Sequence, residues 1–278
     1  MSHASRPVVI VAGASRGVGR GVALALGEAG ANVVATGRSS EGGARTESRL
    51  ETIENTARDV NAAGGNGYPF QCDHTSERDV DQLVSWTLRR FGRIDGAICC
   101  VWGGNEGFDG ERYADGSSWG APFWRRPTGQ FGRFMETGVY AGLLLARAVS
   151  PAMVSAKRGL VGFVTFDTAS GYLGDIYYDL AKASISRLAF ACAEELRPHG
   201  VTALALSPGH VRTERVIEAG MGEEAGETPL YAGRAFAALL ADEDVARHAG
   251  QTLHAADLAR HYGFTDEDGT QPERFTPA

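Results

Sequence analysis

Short, uncharged apolar runs alternate along the chain with longer stretches in which apolar residues return every three or four positions. That alternation predicts buried parallel strands, each handing over to a helix packed on the sheet. Strands are expected at 8–12, 31–36, 68–72, 96–101, 159–166 and 201–206. Helices are expected around Val22, Leu24 and Leu26, then at 45–63, 77–91 and 131–156, and through Tyr178, Ile185, Leu188 and Cys192. The run Gly64, Gly65, Asn66, Gly67 is a strong helix stop. The fold class this implies is α/β: a doubly wound parallel sheet of about seven strands with helices on both faces. With 278 residues, 43% of them hydrophobic, the chain can bury one large core, so a single domain over 1–278 is expected. Residues 102–130, rich in glycine and aromatic side chains, interrupt the pattern and read as an insertion near the substrate site. Residues 255–278 form a C-terminal extension.

The first strand ends in Ala12-Gly13-Ala14-Ser15-Arg16-Gly17-Val18-Gly19 and then becomes helical. Gly13, Gly17 and Gly19 allow a tight turn and a close backbone approach, and the free N–H groups opening the helix attract negative charge. Such a turn also ends strands for structural reasons alone, but its place between a strand and a helix favours a dinucleotide cradle. The second strand is followed by Arg38. An acid at that point suits the ribose 2′-hydroxyl of NAD, and an arginine suits the 2′-phosphate of NADP. Arg16 and Arg38 together could clamp a phosphate with their planar forks, so NADP(H) is expected over NAD(H). Asp73, after the third strand, is expected to receive the adenine amino group or to cap the helix starting near Ser76.

Tyr178 and Lys182 are four apart on a helical segment, so both side chains leave one face. A fixed ammonium beside a phenol is expected to lower its pKa and let the pair exchange a proton with a carbonyl or alcohol oxygen. Tyr177, five residues from Lys182, is the second choice. After the sixth strand comes Ser207-Pro208-Gly209-His210-Val211-Arg212-Thr213, which could also be simple strand termination.

Together the glycine turn with Ser15 and Arg16, the Tyr-Asp-Leu-Ala-Lys of 178–182 and the Pro-Gly-x-Val-x-Thr of 208–213 resemble the short-chain dehydrogenase/reductase family, a Rossmann-type fold. The likeness runs from about Pro7 to Phe275. It includes features of one subgroup: the insertion with Pro122-Phe123-Trp124, the run at 194–200 and the Asp257-Leu-Ala-Arg-His-Tyr-Gly tail. The resemblance implies an oxidoreductase interconverting a carbonyl and an alcohol by hydride transfer. Tyr178 would be its general acid/base, Lys182 its electrostatic partner and nicotinamide-ribose ligand. By the same likeness Val18, Cys99, Pro208, Gly209, Val211 and Thr213 would contact the cofactor. The family's asparagine pair after the fourth strand is replaced here by Cys99 and Cys100. Its carbonyl-binding serine falls at Thr165 or Phe166; Thr165 can donate a hydroxyl and is assigned that role, with Thr168 or Ser170 as substitutes. Its long-helix asparagine, which supports the lysine through water, aligns near Gly138. Assembly as a homodimer or homotetramer is implied by likeness alone. The rival reading is an NADP(H)-binding sensor or scaffold with little or no catalysis.

Composition narrows the partners. A net charge of −7 argues against nucleic acid and anionic membrane surfaces. A small-molecule carbonyl or alcohol is the expected substrate. No signal-like start and no unbroken apolar run of spanning length are seen, so a cytoplasmic location is expected. Cys72, Cys99, Cys100 and Cys192 lack metal-finger spacing, and the seven histidines lack paired ligand spacing, so no metal is expected. Of the histidines only His210 is expected near the crevice.

Overall fold

The computed structural model describes residues 6–220 and 226–277. Seven strands form one sheet: β1 (Val8–Ala12), β2 (Asn32–Gly37), β3 (Asn66–Gln71), β4 (Gly96–Cys99), β5 (Gly159–Val164), β6 (Val201–Ser207) and β7 (Thr252–His254). Their order is β3-β2-β1-β4-β5-β6-β7 and every pairing is parallel. β1 is central and buried throughout, which its uncharged β-branched run requires, because helices cover both faces of such a sheet.

The pleat divides the core. Ile10 and Ala12 face one way, into a cluster with Leu83, Leu145, Phe163 and Ile185. That side is covered by α3 (Glu77–Phe91), α5 (Ala141–Ala156) and α6 (Ile176–Leu196). Val9 and Val11 face the other way, with Val22, Leu26, Phe236 and Leu258 from α1 (Gly17–Glu28), α8 (Pro229–Ala241) and α9 (Ala255–Tyr262). The remaining helices are α2 (Ile53–Ala62), α4 (Gly129–Phe134) and the short α7 (Glu214–Glu218). The order reverses between β1 and β4, and at that switch point the carboxyl ends of the strands open a crevice.

α3 occupies the residues the sequence predicts, because Ser76 caps its first turn and Gly92, at φ 71°, takes the left-handed position beyond its last. The helix expected at 45–63 begins only at Ile53. Before it, Glu47 and Ser48 hold φ of 57° and 55°, and the chain runs as a loop past the crevice. The long helix at 131–156 is continuous but mixed: α4, then a π-helical stretch Met135–Tyr140, then α5. Although charges interrupt its apolar run, Gly129–Ala156 is long and apolar enough to cross a membrane by length and composition. In this fold Ala141, Leu144, Leu145, Val149 and Met153 of that helix are buried in the core.

Candidate active site

The glycine turn is held by β2. Gly13, at φ 77°, and Ala14 both donate their N–H to the Thr36 carbonyl at 2.9 Å. A Cβ on Gly19 would lie 2.1 Å from the Gly13 carbonyl oxygen, so α1 starts hard against the turn and only glycine fits there. The backbone N–H of Gly17, the first residue of α1, donates to the Glu214 carboxylate at 2.9 Å. This helix N-terminus therefore already takes an anionic oxygen, as its unpaired N–H groups and dipole dictate. Nη1 of Arg16 is buried and has no hydrogen-bond partner among the described residues. A glycine cradle, an anion-seeking helix start and an orphaned guanidinium nitrogen fit the phosphates of a dinucleotide.

The cleft above the switch point has a volume of about 740 Å³. It gathers Gly13, Ser15, Arg16, Gly17, Val18 and Gly19 with Arg38 and Asp73 from the ends of β2 and β3. Thr165, Tyr178 and Lys182 join them from β5 and α6, and Pro208, Gly209, Val211 and Thr213 from the turn after β6. Cys99 does not line it. As the last residue of β4 it faces the core with Leu144 and Phe163; Cys100, turned to the other face, and Val101, beyond the strand end, line the cleft instead. Asp73 reaches the cleft but spends its carboxylate on the N–H and hydroxyl of Thr75, at 3.0 and 2.8 Å. The cap of α3 is Ser76, not Asp73. His74 lines the cleft as well as His210, a position pattern reasoning passed over. It is buried, its Nε2 is 2.7 Å from the Thr36 hydroxyl, and burial pushes its pKa down to about 4.

Arg16 and Arg38 both face the cleft, and each already has an acid. Arg38 pairs with Glu106 of the insertion. Glu47 pairs with Arg16 at 3.1 Å and with Arg215 at 2.5 Å, and accepts the Gly107 N–H at 2.8 Å. Neither acid carried a sequence signal, since 39–51 is a loop and Glu106 belongs to the insertion.

At the other end, Asp175 caps α6 by accepting the N–H groups of Tyr177 and Tyr178, both at 2.9 Å. Asp175 is fully buried and paired with Arg126, equally buried, whose guanidinium lies 4.4 Å from the Tyr177 ring centroid. The insertion thus fixes the first turn of the helix that carries Tyr178. Around Tyr178 stand Trp102, Trp119 and Phe166, with ring centroids 5.4, 5.5 and 6.2 Å away. Phe275, from the C-terminal extension, reaches the same cleft and meets Phe166 at 6.4 Å. The extension folds back over its own sheet, and α9 within it is part of the core.

Three sequence expectations change here. Burial pushes the Tyr178 phenol up from its ordinary value, so desolvation outweighs the nearby ammonium and the phenol stays protonated. Burial lowers Lys182 to about 8, and its Nζ sits 5.4 Å from the Tyr178 ring centroid but only 3.9 Å from that of Trp102. The Thr165 hydroxyl is not free to polarise a carbonyl. It donates to the backbone carbonyl of Lys182 at 2.8 Å, bracing α6 on β5, while Phe166 presents its ring to the cleft. Ser170 does not substitute, since its hydroxyl donates to the Asp167 carbonyl at 2.6 Å, and neither it nor Thr168 lines the cleft.

A parallel sheet with this switch point, a glycine cradle and a tyrosine–lysine pair over one cleft defines a nucleotide-dependent dehydrogenase or reductase. The chain belongs to the short chain dehydrogenase family, whose model matches residues 7–224. It is similar to dehydrogenase/reductase SDR family member 1 of Mus musculus, 33% identical and covering 94% of this chain and 83% of that protein. The Homo sapiens protein of the same name is 31% identical over the same shares. Among solved structures, a putative dehydrogenase from Xanthomonas campestris superimposes with a TM-score of 0.78 at 26% identity, covering 98% of this chain and 96% of that one. Members of this family use NAD(P)(H), act on small molecules and commonly oligomerise.

Proposed function

We propose that the protein is an NADP(H)-dependent oxidoreductase that interconverts a small-molecule carbonyl and an alcohol. The observation that carries this is the meeting of Tyr178 and Lys182 with the glycine cradle in one cleft. The cradle residues Gly13 to Gly19 and the 208–213 turn would hold the dinucleotide, and Arg16 and Arg38 favour the form with a 2′-phosphate. When bound, the nicotinamide supplies a hydride. In the reductive direction Tyr178, protonated in its buried site, gives its proton to the substrate oxygen; burial makes the phenol a weaker acid, so the transfer depends on Lys182. Lys182, charged at neutral pH, stabilises the phenolate left behind. With the Thr165 hydroxyl committed elsewhere, one oxyanion donor is missing, a loss worth about 2.7–4 kcal/mol in comparable sites.

Tyr178→Phe is expected to lower NADPH-dependent turnover by about 10²–10⁴-fold while leaving NADPH binding intact. Turnover at the parental rate rejects the assignment. The missing donor also supports a second reading, a cofactor-binding sensor or scaffold, which inactivity of the parent across aldehydes, ketones and quinones would favour. Exposed Leu143 on α5 and Leu180 and Phe190 on α6 support assembly as a homo-oligomer through those helices.

A further inference from the structure

Among the described residues the Lys182 ammonium has neither an acid nor an amide as a partner. Nζ lies 3.9 Å from the centroid of the Trp102 ring, close enough for the indole face to attract a cation, and most strongly out of water. The edge of the same indole meets the Tyr178 ring at 5.4 Å and 77°. Three contacts fix the indole in turn. Its Nε1–H donates to Asn105 Oδ1 at 2.6 Å, Phe134 packs on it at 5.2 Å and 83°, and Gly138 leaves it room. A Cβ on Gly138 would stand 2.9 Å from Trp102 Cζ3, so an asparagine there would collide with the ring. Gly138 lies within the π-helical stretch Met135–Tyr140, where the helix is already wound to admit the ring.

We propose that Trp102 is a positioning residue, which holds the Lys182 ammonium on its face and the Tyr178 ring against its edge, in a space that the glycine at 138 keeps open. This rests on the reading of Tyr178 and Lys182 as the acid–base pair. It replaces a water-borne support of the lysine by an aromatic one. The titratable groups close enough to act on Lys182, among the described residues, are the thiols of Cys99 and Cys100 at the end of β4 and the Tyr178 phenol from its own helix. Burial raises both thiols, so they stay neutral and leave the indole as the group that favours the charged lysine.

The chain holds two lysines, Lys157 and Lys182, which makes a direct test possible. Protein labelled with ¹³C at the lysine ε position gives two signals by NMR, with exposed Lys157 as internal reference. In the parent, the ε protons of Lys182 are expected upfield of those of Lys157, and the signal titrates near 8 rather than at the ordinary 10.5. In Trp102→Leu the upfield displacement collapses and the midpoint falls by at least about half a pH unit. In Trp102→Phe, a smaller ring that keeps an aromatic face, both changes are intermediate. A Lys182 signal with no upfield displacement in the parent, or an unmoved midpoint in folded Trp102→Leu, overturns the proposal. If the leucine variant does not fold, an unchanged signal in Trp102→Phe does the same. The readout needs no turnover, so an inactive parent counts against the acid–base reading without touching the contact.

Discussion

The two ends of the cleft are built from opposite materials. The cradle end uses backbone N–H groups, glycines and charge, with Gly17 N–H on a carboxylate and Arg16, Arg38 and Arg215 shared between Glu47 and Glu106. The Tyr178 end uses rings and burial, with Trp102, Trp119, Phe166 and Phe275 around one phenol and one desolvated lysine. A partly exposed charge network can re-pair when a ligand arrives. A packed aromatic site cannot, since its members set one another's positions. The difference teaches that the cradle's charges are free to change partners, whereas the aromatic end is held in place by the insertion.

That contrast can be broken at three points. Arg126→Ala would leave Asp175 buried without its partner beneath Tyr178, and should cost about 3–5 kcal/mol of unfolding free energy, read by urea denaturation. A loss under about 1 kcal/mol, the value of a surface pair, would show that the reacting end is not preset by the insertion. Arg38→Ser should weaken NADPH binding by about 1.5–3 kcal/mol, the range for a charged hydrogen bond, with little effect on NADH. Equal losses for the two cofactors, measured by calorimetry, would remove Arg38 from 2′-phosphate recognition. Glu214→Gln withdraws the carboxylate charge from the start of α1 and should tighten both cofactors by about 0.3–1 kcal/mol. Weaker binding would mean that Glu214 supports the cradle rather than competing with its ligand.

The cradle was readable in the sequence because its demands are local. Gly13, Gly17 and Gly19 are required by the backbone they sit in, and Tyr178 and Lys182 share a helix face by their spacing alone. The β1 run, buried on both sides, announced itself by lacking any charge. What pattern could not show depends on contacts between distant segments. Thr165 is a plausible donor until the Lys182 carbonyl claims its hydroxyl, and Cys99 is a plausible lining residue until the pleat turns it to the core. The same holds for the Tyr178 phenol, whose expected lowering assumed a lysine pointing at it rather than at Trp102. The helix expected at 45–52 is absent because Glu47 and Ser48 adopt positive φ, a price in local propensity offset by the Glu47 contacts to Arg16, Arg215 and Gly107.

The insertion touches both ends at once: Glu106 on Arg38, Gly107 on Glu47, Trp102 and Trp119 on Tyr178. Loop grafting, the usual way to move substrate range between enzymes of one scaffold, would here remove contacts to Arg38 and Glu47 beside the glycine turn as well. A chimera that borrows another enzyme's 102–130 segment discards the acid on Arg38, so its choice between the two nicotinamide dinucleotides must be measured afresh.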